Sequence, residues 1–132
     1  MHKGFLITAV VLGGLSVALG AFGAHGLESL TGDEKILHAF QTAVQYQMYH
    51  ALALLIVAAV FDKLYAAWVK WAARLFVAGV IGFSGSLYLL TFLKIQGSSA
   101  VKVIGPVTPL GGLLLITGWV CLLIAALKRT MK

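Results

Sequence analysis

The sequence predicts an all-α polytopic membrane protein, a bundle of four transmembrane helices with an amphipathic helical extension before the second span. Composition is the first reason: of 132 residues, 61% are hydrophobic and 11% are charged, and the mean hydropathy is +0.99. Soluble domains are roughly half apolar and a quarter charged. This chain has too few polar side chains to cover a water-exposed surface, so lipid is its expected solvent.

Four apolar segments, each long enough to cross a bilayer, are the second reason, because a crossing takes about 20 helical residues. They lie at residues 4–24, 44–61, 71–92 and 109–127. A closed β-barrel could also span a membrane, but it requires alternating apolar and polar residues, and runs such as ALALLIVAAVF do not alternate. The prediction is therefore one domain, residues 1–132.

The first segment is an apolar run that directly follows Lys3. It is longer than the roughly 7–15 apolar residues of a signal peptide, so we expect a true span. Small residues recur there and in the third and fourth segments, where they allow close approach of helices. The alternative is a self-association face. These positions are Gly13, Ser16, Gly20, Ala24, Ala78, Gly82, Gly111 and Gly112.

The second segment has the shortest uninterrupted apolar run, and polar residues precede it. Thr31 and Glu34 match a capping box, so a helix is expected to begin at Gly32 and to continue into the span. At 100° per residue, one stripe of this helix carries polar side chains that should face the bundle rather than lipid. The stripe contains His38, Gln41, Thr42, Gln45 and Tyr49, flanked by Tyr46 and His50, whereas Gln47 points elsewhere.

Two interpretations of this stripe remain open. Its side chains tie helices together, or they line a polar path for a small solute or proton. The first connection contributes His25, which could cap helix carbonyls, and the fourth segment begins with Thr108 as N-cap and Pro109 in the first turn. Gly97, Ser98 and Ser99 indicate a loop.

Catalytic and metal sites are not indicated. The four acidic residues lie outside the spans, and no nucleophile–base–carboxylate set is visible. His25, His38 and His50 could converge on one side, but their spacing matches no zinc signature. The single Cys121 is expected to be a buried packing thiol. We expect no cofactor and no enzymatic activity.

Charge predicts the orientation. The net charge is +6, and the basic residues lie at loops and ends, which excludes a nucleic-acid-binding face. Seven lie on one side: Lys3, Lys63, Lys70, Arg74, Lys128, Arg129 and Lys132. Three lie on the other: Lys35, Lys94 and Lys102. The positive-inside rule places both termini in the cytoplasm, with interfacial aromatic residues Tyr65, Trp68 and Trp71 on the same side.

Four motifs carry a family resemblance. They are GAFGAHGL at residues 20–27, TAVQYQMYHALALL at 42–55, FSGSLYLL at 83–90, and GPVTPLGG at 105–112 with Gly118-Trp119. In this order they resemble domain of unknown function 423, the YwdK and YgdD type of small bacterial membrane protein, which has eukaryotic relatives. The resemblance implies four transmembrane helices and no assigned activity. The motif residues carried over are His25, Gln45, Tyr46, Tyr49, His50, Ser84, Ser86, Tyr88, Thr108 and Pro109. The polar ones come from different spans, and together with Gln41 they are expected to form one candidate functional cluster near the outer side of the membrane.

The function expected from these observations is that of a non-enzymatic structural or accessory component of the bacterial cytoplasmic membrane. Its partners would be membrane lipid, a second copy or a larger membrane complex. One alternative is a transporter or channel-like protein that uses the polar stripe. A weaker alternative is a lipid- or quinone-binding protein that uses Tyr46, His50 and Tyr88.

Overall fold

The computed structural model describes residues 1–129, in which four helical spans and no strand are present; Lys132 lies outside the described residues. The predicted fold class is confirmed. The helices are α1 Lys3–His25, α2 Glu34–Ala59, α3 Ala66–Val80, α4 Ser86–Ile95, α5 Val101–Ile104 and α6 Val107–Arg129. A π-helical turn, Ile81–Gly85, joins α3 and α4 into one continuous rod. Short 3₁₀ turns lie at Leu27–Ser29 and Phe61–Lys63.

The extension before the second span is real, but its N-cap is Asp33 rather than Thr31. The Asp33 carboxylate accepts a hydrogen bond from the backbone N–H of Lys35 at 2.9 Å, and the helix begins at Glu34. The Thr31 hydroxyl instead accepts from the N–H of Asp33. With 26 residues, α2 is about 39 Å long. This length exceeds the roughly 30 Å of a hydrocarbon core.

The fourth span also begins earlier than predicted. Because α6 starts at Val107, Thr108 lies inside the first turn rather than at the N-cap, and its hydroxyl pairs with that of Ser86. Pro109 follows in the same turn, where a missing N–H costs little. The predicted loop after α4 is confirmed, and its Gly97 has φ of 68°.

The spans pack as two pairs. α1 packs along α2, α6 packs along the rod formed by α3 and α4, and α2 joins the pairs by contacting that rod. The apolar core lies at these contacts and includes Leu54, Val57, Val69 and Phe76. The N-terminus meets the connection between α2 and α3, since the ammonium of Met1 pairs with the carboxylate of Asp62. We call this end, which also contains Lys128, the basic end.

Most predicted small-residue positions lie inside these contacts. A Cβ atom at Gly82 would lie 3.1 Å from the Cα of Gly111, and one at Gly20 would lie 3.3 Å from the side chain of Val44. Ser16 is buried, and Gly13 faces α2. These four residues therefore pack against neighbouring helices of the same chain.

Two of the predicted small-residue positions do not pack within the chain. Ala24 and Ala78 are exposed. In α3 the position that faces α6 is Gly79, where a Cβ atom would lie 2.5 Å from the side chain of Leu115. Gly79 and Gly82 are three residues apart, a spacing that also places two residues on one face of a helix. A spacing of four from Gly82 therefore does not identify the contact.

Candidate functional site

The polar residues predicted to form one cluster are divided between the interior of the bundle and its outer surface. His50, Ser84 and Ser86 are buried. Gln41, Gln45, Tyr46 and Tyr49 are exposed, as is His25. The structure thus divides the residues of the predicted cluster between two environments, with Tyr46 packing against both Tyr49 and His50.

Gln47 is the centre of the interior group, although the sequence analysis directed it away from the bundle. Its side chain is only 4% exposed. The amide nitrogen donates to the backbone oxygen of Leu12 at 2.9 Å, and the amide oxygen accepts from the Tyr88 hydroxyl at 2.6 Å. One glutamine thus connects α1, α2 and α4. The hydroxyl of Ser16 donates to the same Leu12 oxygen.

A second interior contact connects α2 with α6. The indole N–H of Trp119 donates to Nε2 of His50 at 3.0 Å, while Nδ1 of His50 lies 2.7 Å from the backbone oxygen of Tyr46. This pairing requires the tautomer in which Nδ1 carries the proton and Nε2 accepts. The ring of Phe76 packs against both His50 and Trp119. Trp119 is 46% exposed, and the sequence analysis named it only as part of a motif and not as a site residue.

Serine and threonine hydroxyls complete the interior group. Ser84 donates to the backbone oxygen of Ala43 at 2.7 Å, which connects the π turn with α2. Ser86 donates to the backbone oxygen of Phe83 and therefore accepts from Thr108. Within residues 1–129, no buried side-chain nitrogen or oxygen lacks a hydrogen-bond partner. The interior polar groups are thus satisfied by one another and by the backbone.

The other group forms a stripe on the outside of α2, which corrects the prediction that it faces the bundle. We call His38, Gln41, Gln45 and Tyr49 the outward polar stripe; Tyr49 is 54% exposed. The face that is actually buried contains Ile36, Phe40, Ala43, Gln47, His50, Leu54 and Val57. Its helical spacing places Gln47 inside and the stripe outside. Tyr46, at 40% exposure, packs on Phe83 and borders the stripe.

Part of this stripe lies at membrane depth. Tyr49 is ten residues and Gln45 fourteen residues from the Ala59 end of α2, hence about 15 and 21 Å along the helix axis. Asp62 and Lys63 follow directly and mark the level of the polar headgroups. Both side chains therefore lie within the roughly 30 Å of the hydrocarbon core.

A groove of about 380 Å³ borders the stripe between α1 and α2. Gly20, Gly23 and Ala24 form one side, and Gln41 and Gln45 lie on the other. The carboxylate-bearing Glu28 lies among the lining residues. The groove combines exposed backbone, two amides and an acidic side chain.

The histidines do not converge. His25 and His38 are exposed, whereas His50 is in the core. In the part of the chain that the structure describes, no three His, Cys, Asp or Glu residues come together in a way that could hold a metal ion. Cys121 is a buried free thiol.

Comparison with known proteins agrees with this architecture. The family model described as "Protein of unknown function (DUF423)" matches residues 19–112. UPF0382 membrane protein YwdK of Bacillus subtilis is 45% identical over 96% of this chain and 98% of its own length. A UPF0382 membrane protein of Staphylococcus aureus is 44% identical over 96% and 97% of the two chains.

The chain is also similar to a protein from a eukaryote. The UPF0382 membrane protein of Schizosaccharomyces pombe is 39% identical over 88% of this chain and 95% of its own length. No solved structure matches the chain. The family match and the full-length similarity lead to one conclusion: the chain belongs to the DUF423 family of UPF0382 membrane proteins.

Proposed function

We propose that this protein is a non-enzymatic component of the bacterial cytoplasmic membrane, with both ends in the cytoplasm, that acts by associating with a second copy through the outward polar stripe of α2. The single observation that carries the proposal is the exposure of Gln45 and Tyr49 at membrane depth. Among the described residues, every buried side-chain nitrogen or oxygen already has a hydrogen-bond partner. The groups still available for recognition therefore lie on the outside.

Acyl chains cannot form hydrogen bonds with the side chains of the outward polar stripe. Placing an amide in an apolar environment without a hydrogen bond costs roughly 1–3 kcal/mol. The stripe carries two amides, a phenol and an imidazole. Its partner should consequently offer both donors and acceptors at the same depth, which acyl chains cannot do.

A second copy meets this requirement. An amide both donates and accepts, so Gln45 of one chain can satisfy Gln45 of another across a two-fold axis. In the neighbouring groove, Ala24 is an exposed small residue beside the stripe. Small residues let helix backbones approach closely within a membrane.

Cross-linking tests the association. With Cys121→Ser as background, Leu52→Cys, an exposed position three residues after Tyr49 on α2 that leaves the stripe intact, should form a disulfide-linked dimer on mild oxidation in native membranes. Leu113→Cys, an exposed position on α6, is the matched control and should stay monomeric. Equal dimer yields from both positions, or a product of Leu52→Cys with a different protein, would contradict the proposal.

The arrangement of charges supports the proposed orientation. The N-terminus, the connection between α2 and α3, and Lys128 all lie at the basic end. Six described basic residues belong to that side: Lys3, Lys63, Lys70, Arg74, Lys128 and Arg129. Lys35, Lys94 and Lys102 belong to the other. An excess of Lys and Arg on cytoplasmic segments is the general rule.

Thiol labelling tests the orientation. In the Cys121→Ser background, a membrane-impermeant maleimide added to intact cells should label Ser29→Cys and spare Ala67→Cys. Both positions are exposed, and they lie at opposite ends of the helical bundle. Both should react after the cells are permeabilised, which controls for reactivity. Labelling of Ala67→Cys alone in intact cells would show the opposite orientation, with both termini outside the cell.

Transport of a small solute or ion is the second candidate function, and the same exposed stripe favours it. Because the interior polar atoms of one chain are paired, the stripe would have to line a path between copies. Solute flux into liposomes that Gln45→Leu abolishes would favour transport over a purely structural role. The lipid or quinone alternative has less support, since His50 and Tyr88 direct polar atoms to Trp119 and Gln47.

A further inference from the structure

A second groove lies between α3 and α6 at the basic end, far from the outward polar stripe. It has a volume of about 580 Å³ and is open to the surface of the bundle. Tyr65, Trp68 and Trp71 line its part nearest the end of the bundle, together with Lys128. Leu75, Thr117 and Cys121 line the rest.

The aromatic rings hold a cation at the mouth of this groove. The ammonium of Lys128 lies 5.2 Å from the ring centre of Tyr65 and 5.5 Å from that of Trp68. The guanidinium of Arg74 lies 5.8 Å from the ring of Trp71. Such contacts fix the position of a positive charge while leaving its other side open.

The local charge balance favours an anionic ligand. Asp62 is the acidic residue of this end, and its carboxylate pairs with the N-terminal ammonium. The other acidic residues, Glu28, Asp33 and Glu34, belong to the opposite end of the bundle. Among the described residues that line the groove with Lys128, none carries a carboxylate.

The length of the groove indicates a lipid. Along α6, Thr117 and Lys128 are eleven residues apart, hence about 16 Å. This is half of a hydrocarbon core of about 30 Å, the depth of one leaflet. The polar and aromatic mouth of the groove matches a lipid headgroup. The mainly apolar rest of the groove matches an acyl chain.

We propose that this groove binds an anionic phospholipid of the adjacent leaflet. Lys128 contacts the phosphate, while the Tyr65 hydroxyl and the Trp68 indole N–H supply hydrogen-bond donors at headgroup level. The acyl chain lies between α3 and α6 against Leu75 and Cys121. The site is independent of the association through α2.

Native mass spectrometry of the full chain in detergent tests this site. We expect phosphatidylglycerol to bind more tightly than phosphatidylcholine of the same acyl composition. Lys128→Gln should weaken phosphatidylglycerol binding about fivefold and phosphatidylcholine binding by less, because the choline ammonium already neutralises the phosphate of that lipid. Lys102→Gln, at the opposite end, is the matched control and should keep the wild-type preference.

Two further measurements make the outcome decisive. Trp68→Leu, which keeps the charge of Lys128, should also reduce the preference for phosphatidylglycerol, because it removes one of the two rings that position the ammonium. Soluble glycerol phosphate should fail to compete, because it lacks the acyl chain. Equal binding of the two lipids by the wild type, an unchanged preference in Lys128→Gln, or full competition by glycerol phosphate would overturn the proposal.

Discussion

Replacing Gly111 with alanine should lower the free energy of unfolding by about 3 kcal/mol, the upper part of the range for overpacked cores. A Cβ atom at this position would lie 2.2 Å from the backbone nitrogen of Phe83 and 2.4 Å from the carbonyl carbon of Gly82. Backbone atoms cannot rotate away as a side chain can. The π turn and α6 must therefore separate, which also disturbs the pairing of Ser86 with Thr108.

The adjacent glycine provides the control for this prediction. At Gly112 a Cβ atom would lie 3.5 Å from the ring of Phe83, an ordinary contact. Gly112→Ala should therefore change the free energy of unfolding by less than about 1 kcal/mol. Reversible unfolding in mixed micelles measures both variants. Equal losses would show that the close approach at Gly111 does not determine the stability of this contact.

Gln47→Leu should lower the free energy of unfolding by about 1–2 kcal/mol. The substitution leaves the Tyr88 hydroxyl without its acceptor in a buried setting, and it removes the link from α2 to Leu12 on α1. The leucine has a similar volume, so cavity formation contributes little. The expected cost thus arises from hydrogen bonding.

A double-mutant cycle separates the two bonds of Gln47. Tyr88→Phe alone should cost about 1 kcal/mol, and combining it with Gln47→Leu should cost less than the sum of the two single changes. Each single change already breaks the hydrogen bond between Gln47 and Tyr88, so the double variant does not lose it a second time. Additive costs would mean that the Gln47–Tyr88 contact does not form in the membrane.

The number and order of the helices could be predicted from the sequence because they depend on composition and length alone. Hydrophobic runs of about 20 residues have few other solutions in a bilayer. The helix contacts through Gly82 and Gly111 were also predictable, since small residues mark close approach. Ala78 was assigned to that face from its spacing of four to Gly82, whereas the residue that contacts α6 is Gly79, at a spacing of three.

The rotation of α2 could not be read from its polar residues alone. Gln45 and Gln47 are chemically identical, yet they lie on different faces of the helix. Polar residues were assumed to face inward because lipid disfavours them. The buried face of α2 is instead defined by the spacing of its apolar residues, such as Phe40, Ala43 and Leu54. A polar stripe can remain outside when the protein has a partner there.

The central claim is that α2 uses one glutamine for folding and another for association. The most direct test compares Gln45→Leu with Gln47→Leu, measuring unfolding and dimer formation in lipid for each. We predict that Gln47→Leu loses stability in the isolated chain, whereas Gln45→Leu keeps that stability and loses the dimer. A stable dimer in Gln45→Leu, or a loss of monomer stability as large as that of Gln47→Leu, would contradict the account.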